Sequence, residues 1–222
     1  GAAPNEALGA GKVVIEFVDK PADKKVDFEA LAKYWDKDKR LIRASNGQIV
    51  WDYSERGYFT MDTPAAQAVI GFGGGREHNL GDCVIRYDKP FANIYVAAKD
   101  RGQTLATARQ WVILALARTQ DKGAVIEETS MDPLVKAPAP EAKGRPEDRI
   151  ADMLKNPTLL IEPVKATLTV KRAGPFKAYA LDHDGCKPEK ATEIPVAQAA
   201  GAQQITLDGA QYRTMYYVIE FE

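Results

Sequence analysis

Runs of residues in which every second side chain is apolar recur along most of the chain. The clearest run lies at 164–171, where Ala166, Leu168 and Val170 alternate with lysines and threonines. Alternation with this period places the apolar side chains on one face of a β-strand and the polar ones on the other. The pattern therefore predicts strands with one face in a core and the other in solvent.

The spacing of these runs indicates antiparallel sheets. Other strand-like runs lie at 13–18, 48–53, 58–62, 66–72, 80–87, 91–98, 110–118, 176–181, 192–196, 203–208 and 215–221. Turn-forming residues separate many of them, including Asn46-Gly47, which is a strong signal for a short hairpin. About a dozen short strands with little helix predict an all-β fold, an antiparallel β-sandwich of the jelly-roll type.

Two segments have helical spacing, and one segment is rich in proline. Apolar residues at 28, 31 and 35 follow Asp27, which predicts a short helix with an N-cap. Residues 147–155 are long enough for two helical turns before a proline ends them. Residues 131–147 contain several prolines, which cannot donate N–H groups to a strand ladder. We expect one or two short helices and a long Pro-rich surface insertion.

The chain of 222 residues has the length of one or two domains. If the strands after residue 157 folded alone, one face of their sheet would be uncovered, so we expect them to complete the same sandwich as the earlier strands. Residues 1–11 are small and polar, which predicts a flexible N-terminus. The domain prediction is a single β-sandwich over residues 12–222 with a surface insertion at 131–157.

Charge and composition exclude several classes of function. Lys and Arg total 30 against 31 Asp and Glu, so the net charge is −1. Nucleic acids and anionic membrane surfaces attract an excess of positive charge. The longest apolar run, at 111–117, is far shorter than the roughly 18 residues of a membrane span. We therefore expect neither a nucleic-acid nor a membrane partner.

Motifs for metals, phosphates and covalent catalysis are incomplete, so no residue is predicted to be catalytic. Asp182 and Asp184 stand where a calcium loop begins, but the residues after Gly185 are poor ligands. A hairpin turn is favoured there, and no cofactor other than such a calcium ion is predicted. The glycines at 71–75 lack the context of a phosphate loop, which favours a wide turn with His78 at the surface.

The chain has two cysteines, Cys83 and Cys186. They are too few for a disulfide scaffold and too far apart in sequence for a zinc knuckle. One bridge and two free thiols both remain open.

Aromatic residues are the best candidates for ligand contacts, because their rings stack on the apolar faces of sugars while charged and amide groups bond the hydroxyls. Tyr58 and Tyr216 are predicted to lie opposite the inward residues of their strands and so to be exposed. Trp51 and Trp111 lie on apolar faces and are expected in the core. The candidate ligand-binding residues are Trp35, Tyr53, Arg56, Tyr58 and Tyr216.

One long stretch and four later segments resemble a known kind of domain. Residues 46–72 read NGQIVWDYSERGYFTMDTPAAQAVIGF, and strand or turn signatures follow at 112–118, 160–164, 178–182 and 213–220. Together they resemble the β-sandwich domain that follows the barrel in large bacterial glycoside hydrolases of the cellulase and agarase type. The resemblance covers roughly residues 40–221 and includes no catalytic motif. The acids of such enzymes lie in the barrel, which needs about 250 residues of its own.

The resemblance implies an ancillary domain rather than an enzyme. We expect a non-catalytic, carbohydrate-binding module associated with polysaccharide degradation, secreted or periplasmic, with a polysaccharide or oligosaccharide as its partner. In such a compartment Cys83 and Cys186 are candidates for a disulfide bond. Two alternatives remain open: a structural module that packs on a catalytic barrel domain or partner subunit, and a stand-alone sandwich-fold glycoside hydrolase or lyase.

Overall fold

The computed structural model describes residues 7–11, 29–121, 159–199 and 201–222 of the chain. Antiparallel strands dominate these residues, which confirms the predicted all-β sandwich. The strands are β1 Trp35–Asp36, β2 Leu41–Arg43, β3 Ile49–Asp52, β4 Tyr58–Asp62, β5 Ala66–Gly71, β6 Glu77–Asn79, β7 Cys83–Tyr87, β8 Ala92–Ala98, β9 Gln110–Leu116, β10 Thr119–Asp121, β11 Leu159–Ile161, β12 Lys165–Val170, β13 Phe176–Ala180, β14 Thr192–Ile194, β15 Ala197–Ala199, β16 Ala202–Asp208 and β17 Tyr216–Phe221.

The strands form one large sheet, one smaller sheet and a separate pair. The large sheet has ten strands in the order β1-β2-β3-β4-β5-β8-β9-β17-β13-β14. The smaller sheet has five, in the order β15-β16-β12-β7-β6, and β10 pairs with β11. Each described pairing is antiparallel. The chain therefore leaves the large sheet after β5, adds β6 and β7 to the smaller one, and returns with β8.

The chain divides into two compact units. The first unit comprises residues 1–117 and 163–222 and contains the ten-stranded and the five-stranded sheet, while the second comprises residues 118–162. In the second unit, β10 pairs with β11, and Arg118 Nε lies 2.9 Å from Glu162 Oε2 next to that pair. The predicted insertion at 131–157 falls within the second unit but lies outside the described residues.

A single hydrophobic core joins the two sheets of the first unit. Val69, Ile94 and Trp111 from the large sheet share this core with Ile85 and Leu168 from the smaller one. Along β12, Ala166, Leu168 and Val170 are buried while the residues between them are exposed or half-buried. The alternation that predicted this strand therefore also predicts the face that it buries.

Several predicted connections are confirmed and others are corrected. Asn46-Gly47 does turn the chain between β2 and β3, with Gly47 at a φ of 73°, a conformation that glycine adopts without strain. The strand expected at 80–87 is shorter in the structure, where it is β7, Cys83–Tyr87. It pairs with β6, Glu77–Asn79, a strand that the sequence analysis did not predict. The strand expected at 13–18 and the helix expected at 147–155 lie outside the described residues.

The short helices differ from the sequence prediction. Residues Glu29–Tyr34 form a 3-10 helix, and Trp35 belongs to β1 rather than to a helix. Residues Ala7–Ala10, within the segment predicted to be flexible, form a helical turn with two buried alanines. A further short helix, Gly209–Tyr212, begins after Asp208, whose carboxylate accepts from Gln211 N–H. None of the helices in the described ranges is long and apolar enough to cross a membrane.

Candidate binding surface

Strand register brings four aromatic residues to one face of the large sheet. In its pairings, Trp35 lies opposite Ile42, Ile42 opposite Trp51, and Trp51 opposite Phe59. Residues directly opposite each other in an antiparallel pair share a face, and Tyr53 follows Trp51 by two positions. Val69 is a core residue, so its neighbour in the strand, Ile70, points to the opposite, outer face of the sheet. Phe59 is the strand partner of Ile70 and therefore lies on the outer face as well. We call Trp35, Trp51, Tyr53 and Phe59 the aromatic surface.

The rings of the aromatic surface contact one another in a continuous row. Trp35 Nε1 donates to the Tyr53 hydroxyl at 2.7 Å. The Trp51 ring lies 5.7 Å from that of Tyr53 and 5.4 Å from that of Phe59, with an angle of 15° between the last two ring planes. Phe59 remains 37% exposed, and its neighbour Ile49 is 38% exposed. The row therefore ends in an apolar ring that is open to solvent.

The helical turn Ala7–Ala10 packs against the same face and fixes part of it. A Cβ on Gly9 would lie 3.0 Å from Ile42 Cγ2 and 3.2 Å from Trp51 Cε3, so the helix backbone touches both side chains. The Ser45 N–H donates to the Ala10 carbonyl at 2.7 Å, which ties the end of the helix to the β2–β3 hairpin. Ile42 is 1% exposed, whereas Phe59 on the same face is 37% exposed.

Charged groups flank the aromatic surface. Lys37 Nζ lies 4.7 Å from the centroid of the Trp35 ring, within the range of a cation–π contact. The backbone N–H of Lys39 donates to the carboxylate of Asp36, and this bond is the main reason that the pKa of Asp36 is lowered. Arg56, a predicted ligand residue, instead packs its guanidinium over Phe72 at 4.0 Å from the ring centroid. Donors and acceptors therefore lie beside the rings at the β1 end.

The structure corrects the predicted orientation of Tyr58. Its ring is half-buried and packs against the core, in an edge contact of 5.1 Å with the ring of His78. Trp51, expected in the core, lies half-buried on the outer face instead. Both faces of β3 and β4 carry large apolar residues, so alternation alone does not tell which face meets the core. Trp111 is fully buried, as predicted, and its indole N–H donates to the Leu105 carbonyl at 2.8 Å.

Tyr216 is not brought to the aromatic surface. It lies half-buried on β17, on the same face of the large sheet as Phe59. β17 is separated from β4 by β5, β8 and β9. At about 4.8 Å between neighbouring strands, the two strands lie about 19 Å apart. Of the five predicted ligand residues, only Trp35 and Tyr53 therefore lie in the aromatic surface.

The glycine-rich turn after β5 encloses a buried polar cluster. His78 is buried rather than exposed as predicted, and its Nε2 donates to the Gly73 carbonyl at 2.8 Å. The Tyr87 hydroxyl accepts from Gly73 N–H at 3.0 Å and donates to the Gly71 carbonyl at 3.1 Å. Burial lowers the pKa of His78 and raises that of Tyr87 to about 12. These side chains hold the turn in place.

Both cysteines are free thiols, so the structure does not form the bridge that the resemblance suggested. Cys83 is fully buried on β7, whereas Cys186 is exposed in the turn after β13. The thiol of Cys83 donates to Gln67 Oε1 at 3.1 Å, and burial raises its pKa to about 12. A thiol that is held inside the sandwich cannot meet one that lies on its surface.

The carboxylate of Asp182 is engaged in its own turn. Its Oδ1 accepts from the N–H groups of Asp184 at 3.1 Å and Cys186 at 2.7 Å. These bonds are typical of an Asx turn. They agree with the prediction of a hairpin turn, rather than a calcium loop, in this segment. Within the described ranges, no group of three or more His, Cys, Asp or Glu side chains is placed to hold a metal ion.

Comparisons of the chain with protein-family models, with curated proteins and with solved structures find no match.

Proposed function

We propose that the protein is a non-catalytic, carbohydrate-binding β-sandwich module that binds polysaccharide through the aromatic surface. One observation carries the proposal: four aromatic rings contact one another on the outer face of the large sheet, and the last of them, Phe59, is open to solvent. Aromatic faces supply the apolar contact area that sugar rings require. The indole and hydroxyl groups along the row add directional hydrogen-bond partners.

The charge of the protein supports a neutral polymer as the ligand. The net charge is −1, and the cations and carboxylates near the aromatic surface, Lys37, Asp36 and Lys39, are of both signs. Sugar hydroxyls both donate and accept hydrogen bonds, so mixed donors and acceptors suit them better than a surface of one charge. A role beside a polysaccharide-degrading enzyme outside the cytoplasm is part of this proposal and is motivated by the resemblance of residues 46–72.

Replacement of the exposed ring tests the proposal. We expect Phe59→Ala to weaken binding by about 2- to 13-fold, since a ring contact contributes about 0.5–1.5 kcal/mol. Affinity electrophoresis through gels that contain cellulose derivatives, xylan, agarose or other neutral polysaccharides measures the change. Leu160→Ala is the matched control, because Leu160 is 54% exposed and lies on β11, outside the aromatic surface.

Two results would overturn the proposal. The first is the absence of retardation of the unaltered protein in every gel of the panel. The second is equal retardation of Phe59→Ala and the unaltered protein, with both folded as judged by their unfolding midpoints. Either result removes the aromatic surface as a polysaccharide contact.

A structural module is the second candidate function, and the exposure of Ile49 beside Phe59 favours it. Two adjacent large apolar side chains that are each more than one third exposed also suit a contact with another protein domain. A catalytic barrel or partner subunit that packs there would protect the backbone amides of β3 and β4 from hydrogen exchange. Protection of these amides on addition of such a partner, without polysaccharide, would favour the structural module over the carbohydrate-binding module.

A further inference from the structure

The outer face of the five-stranded sheet carries an ordered array of polar side chains. In one row across four strands, Glu77 on β6 lies opposite Arg86 on β7, Arg86 opposite Thr167 on β12, and Thr167 opposite Thr206 on β16. The next row comprises Asn79, Val84, Thr169 and Gln204. We call these two rows the polar face.

A half-open groove lies on the polar face. The groove has a volume of about 380 Å³ and is lined by residues of both rows together with Lys165, Tyr87 and Asp88. This volume lies within the usual range for ligand sites, about 300–1,000 Å³. Four strands at about 4.8 Å spacing give the row a length of about 14 Å, which suits a short linear oligomer.

The side chains of the polar face both donate and accept hydrogen bonds: Asn79 Oδ1 accepts from Lys171 Nζ, whereas Arg86 has a weak partner. Arg86 Nε lies 3.9 Å from Asp88 Oδ1, and both side chains are largely exposed, so this ion pair contributes little. Gln204 Nε2 donates to the Thr169 hydroxyl at 2.9 Å, which orients the amide along the groove. Water or a polyhydroxyl ligand can therefore exchange at Arg86, Thr167 and Thr206 at low cost.

The charges of the groove argue for a neutral ligand. Lys165 Nζ lies 3.1 Å from Asp208 Oδ2, so its charge is balanced within the protein. Arg86 is flanked by the carboxylates of Asp88 and Glu77. A polyanion needs uncompensated cations, whereas hydroxyl groups need paired donors and acceptors such as these.

We propose that the polar face is a second carbohydrate-binding site, specific for a neutral oligosaccharide that lies across β6, β7, β12 and β16. The ligand class of this inference rests on the proposed function, but the site is a different one. The outer faces of the two sheets point away from each other in a sandwich. A module with a site on each face contacts two polysaccharide chains at once, and the second contact raises its apparent affinity for a polymer without any new interaction.

Nuclear magnetic resonance titration locates the site directly. Cellohexaose and agarohexaose are added separately to the whole ¹⁵N-labelled chain, and hexagalacturonate serves as the anionic probe. We expect a neutral hexamer to shift backbone amides at 84–86, 167–169 and 204–206, and we expect hexagalacturonate to leave them unchanged. Stronger shifts with hexagalacturonate, or no shifts there with either neutral hexamer, would overturn the proposal.

Substitutions separate this site from the aromatic surface. We expect Arg86→Ala and Thr206→Ala each to raise the dissociation constant read from those amides by about tenfold, because each substitution removes hydrogen bonds to the ligand. Both side chains point outward, so the variants should keep the unfolding midpoint of the unaltered protein. The matched control is Thr192→Ala, an exposed threonine on β14 of the other sheet.

The outcomes for the two sites are distinguishable. Weaker binding at the amides 84–86, 167–169 and 204–206 in Arg86→Ala but not in Phe59→Ala supports the polar face, and the aromatic surface is tested separately by the gel retardation of Phe59→Ala. The reverse result contradicts the polar face alone. If Thr192→Ala weakens binding as much as Thr206→Ala, the effect is not local to the groove and the inference is wrong.

Discussion

The two thiols of the protein have opposite environments, and this difference decides their chemistry. Cys83 is fully buried, and its pKa of about 12 leaves it protonated at neutral pH. Cys186 is exposed in the turn that Asp182 organises. Because the thiolate is the reactive form, and only one thiol is open to reagent, the folded protein should behave as a single-thiol protein.

A thiol titration checks this expectation. We expect Ellman's reagent at pH 8 to modify one thiol per folded chain rapidly and two in denaturant. Cys186→Ser should remove the rapid reaction and leave one thiol that reacts only after unfolding. Two rapid equivalents in the folded protein would contradict the burial of Cys83, and none in denaturant without reductant would indicate a bridge.

His78 couples the glycine-rich turn to pH. Its pKa is lowered in the folded protein, first by burial and also by the charge of Arg76, while the bond to the Gly73 carbonyl opposes the shift. Tyr58 and Tyr87 complete its surroundings with uncharged rings. Below pH about 6.5, His78 therefore binds a proton more readily in the unfolded chain than in the folded protein.

The sign of the effect follows from linkage. A group that binds its proton more weakly in the folded state makes the protein less stable as pH falls through the unfolded pKa. We expect the free energy of unfolding in urea to fall between pH 7.5 and 5.5, with a slope from this residue of at most about 1.4 kcal/mol per pH unit. His78→Gln should flatten the slope, and His183→Gln, at an exposed site, should not. Identical slopes for both variants would exclude His78 as the cause.

At the scale of elements, the turn between β5 and β6 depends on one close approach. A Cβ on Gly74 would lie 1.9 Å from the carbonyl oxygen of Lys89, a backbone atom that cannot rotate away. Gly75, the next residue, has a φ of 74° and nothing within 4 Å of its Cβ position. The two glycines are therefore required for different reasons, one steric and one conformational.

Alanine substitutions distinguish these reasons. We expect Gly74→Ala to lower the free energy of unfolding by more than about 2 kcal/mol, because the turn must open. Gly75→Ala should cost about 1–2 kcal/mol, the usual penalty for a left-handed residue with a side chain. Chemical denaturation measures both values, and a larger loss at 75 than at 74 would contradict the described packing.

Strands with one polar face were predictable from sequence, and strands without one were not. β12 has lysine and threonines on one side, so its buried residues Ala166, Leu168 and Val170 follow from alternation alone. β4 carries Tyr58 on one side and Phe59 on the other, and only packing with β5 and His78 decides between them. The aromatic surface was missed for this reason, although Trp35 and Tyr53 were chosen correctly as candidates within it.

At the scale of the whole molecule, the fold class was predictable and the strand order was not. Short alternating runs and turn residues are local signals, and they indicate a sandwich. The order of the large sheet depends on pairs that are distant in sequence, such as Val112 on β9 with Val218 on β17. The polar face was not predictable for the same reason, because no local pattern places Glu77, Arg86, Thr167 and Thr206 in one row.

The position of β17 between β9 and β13 also sets an order of events during synthesis. β9 ends at residue 116 and β17 begins at residue 216, so 99 residues are made between the two strands. Because chains are synthesised at about 5–20 residues per second, one edge of the apolar strand β9 remains unpaired for about 5–20 s before β17 is made. The nascent chain is therefore open to edge-to-edge aggregation for that time.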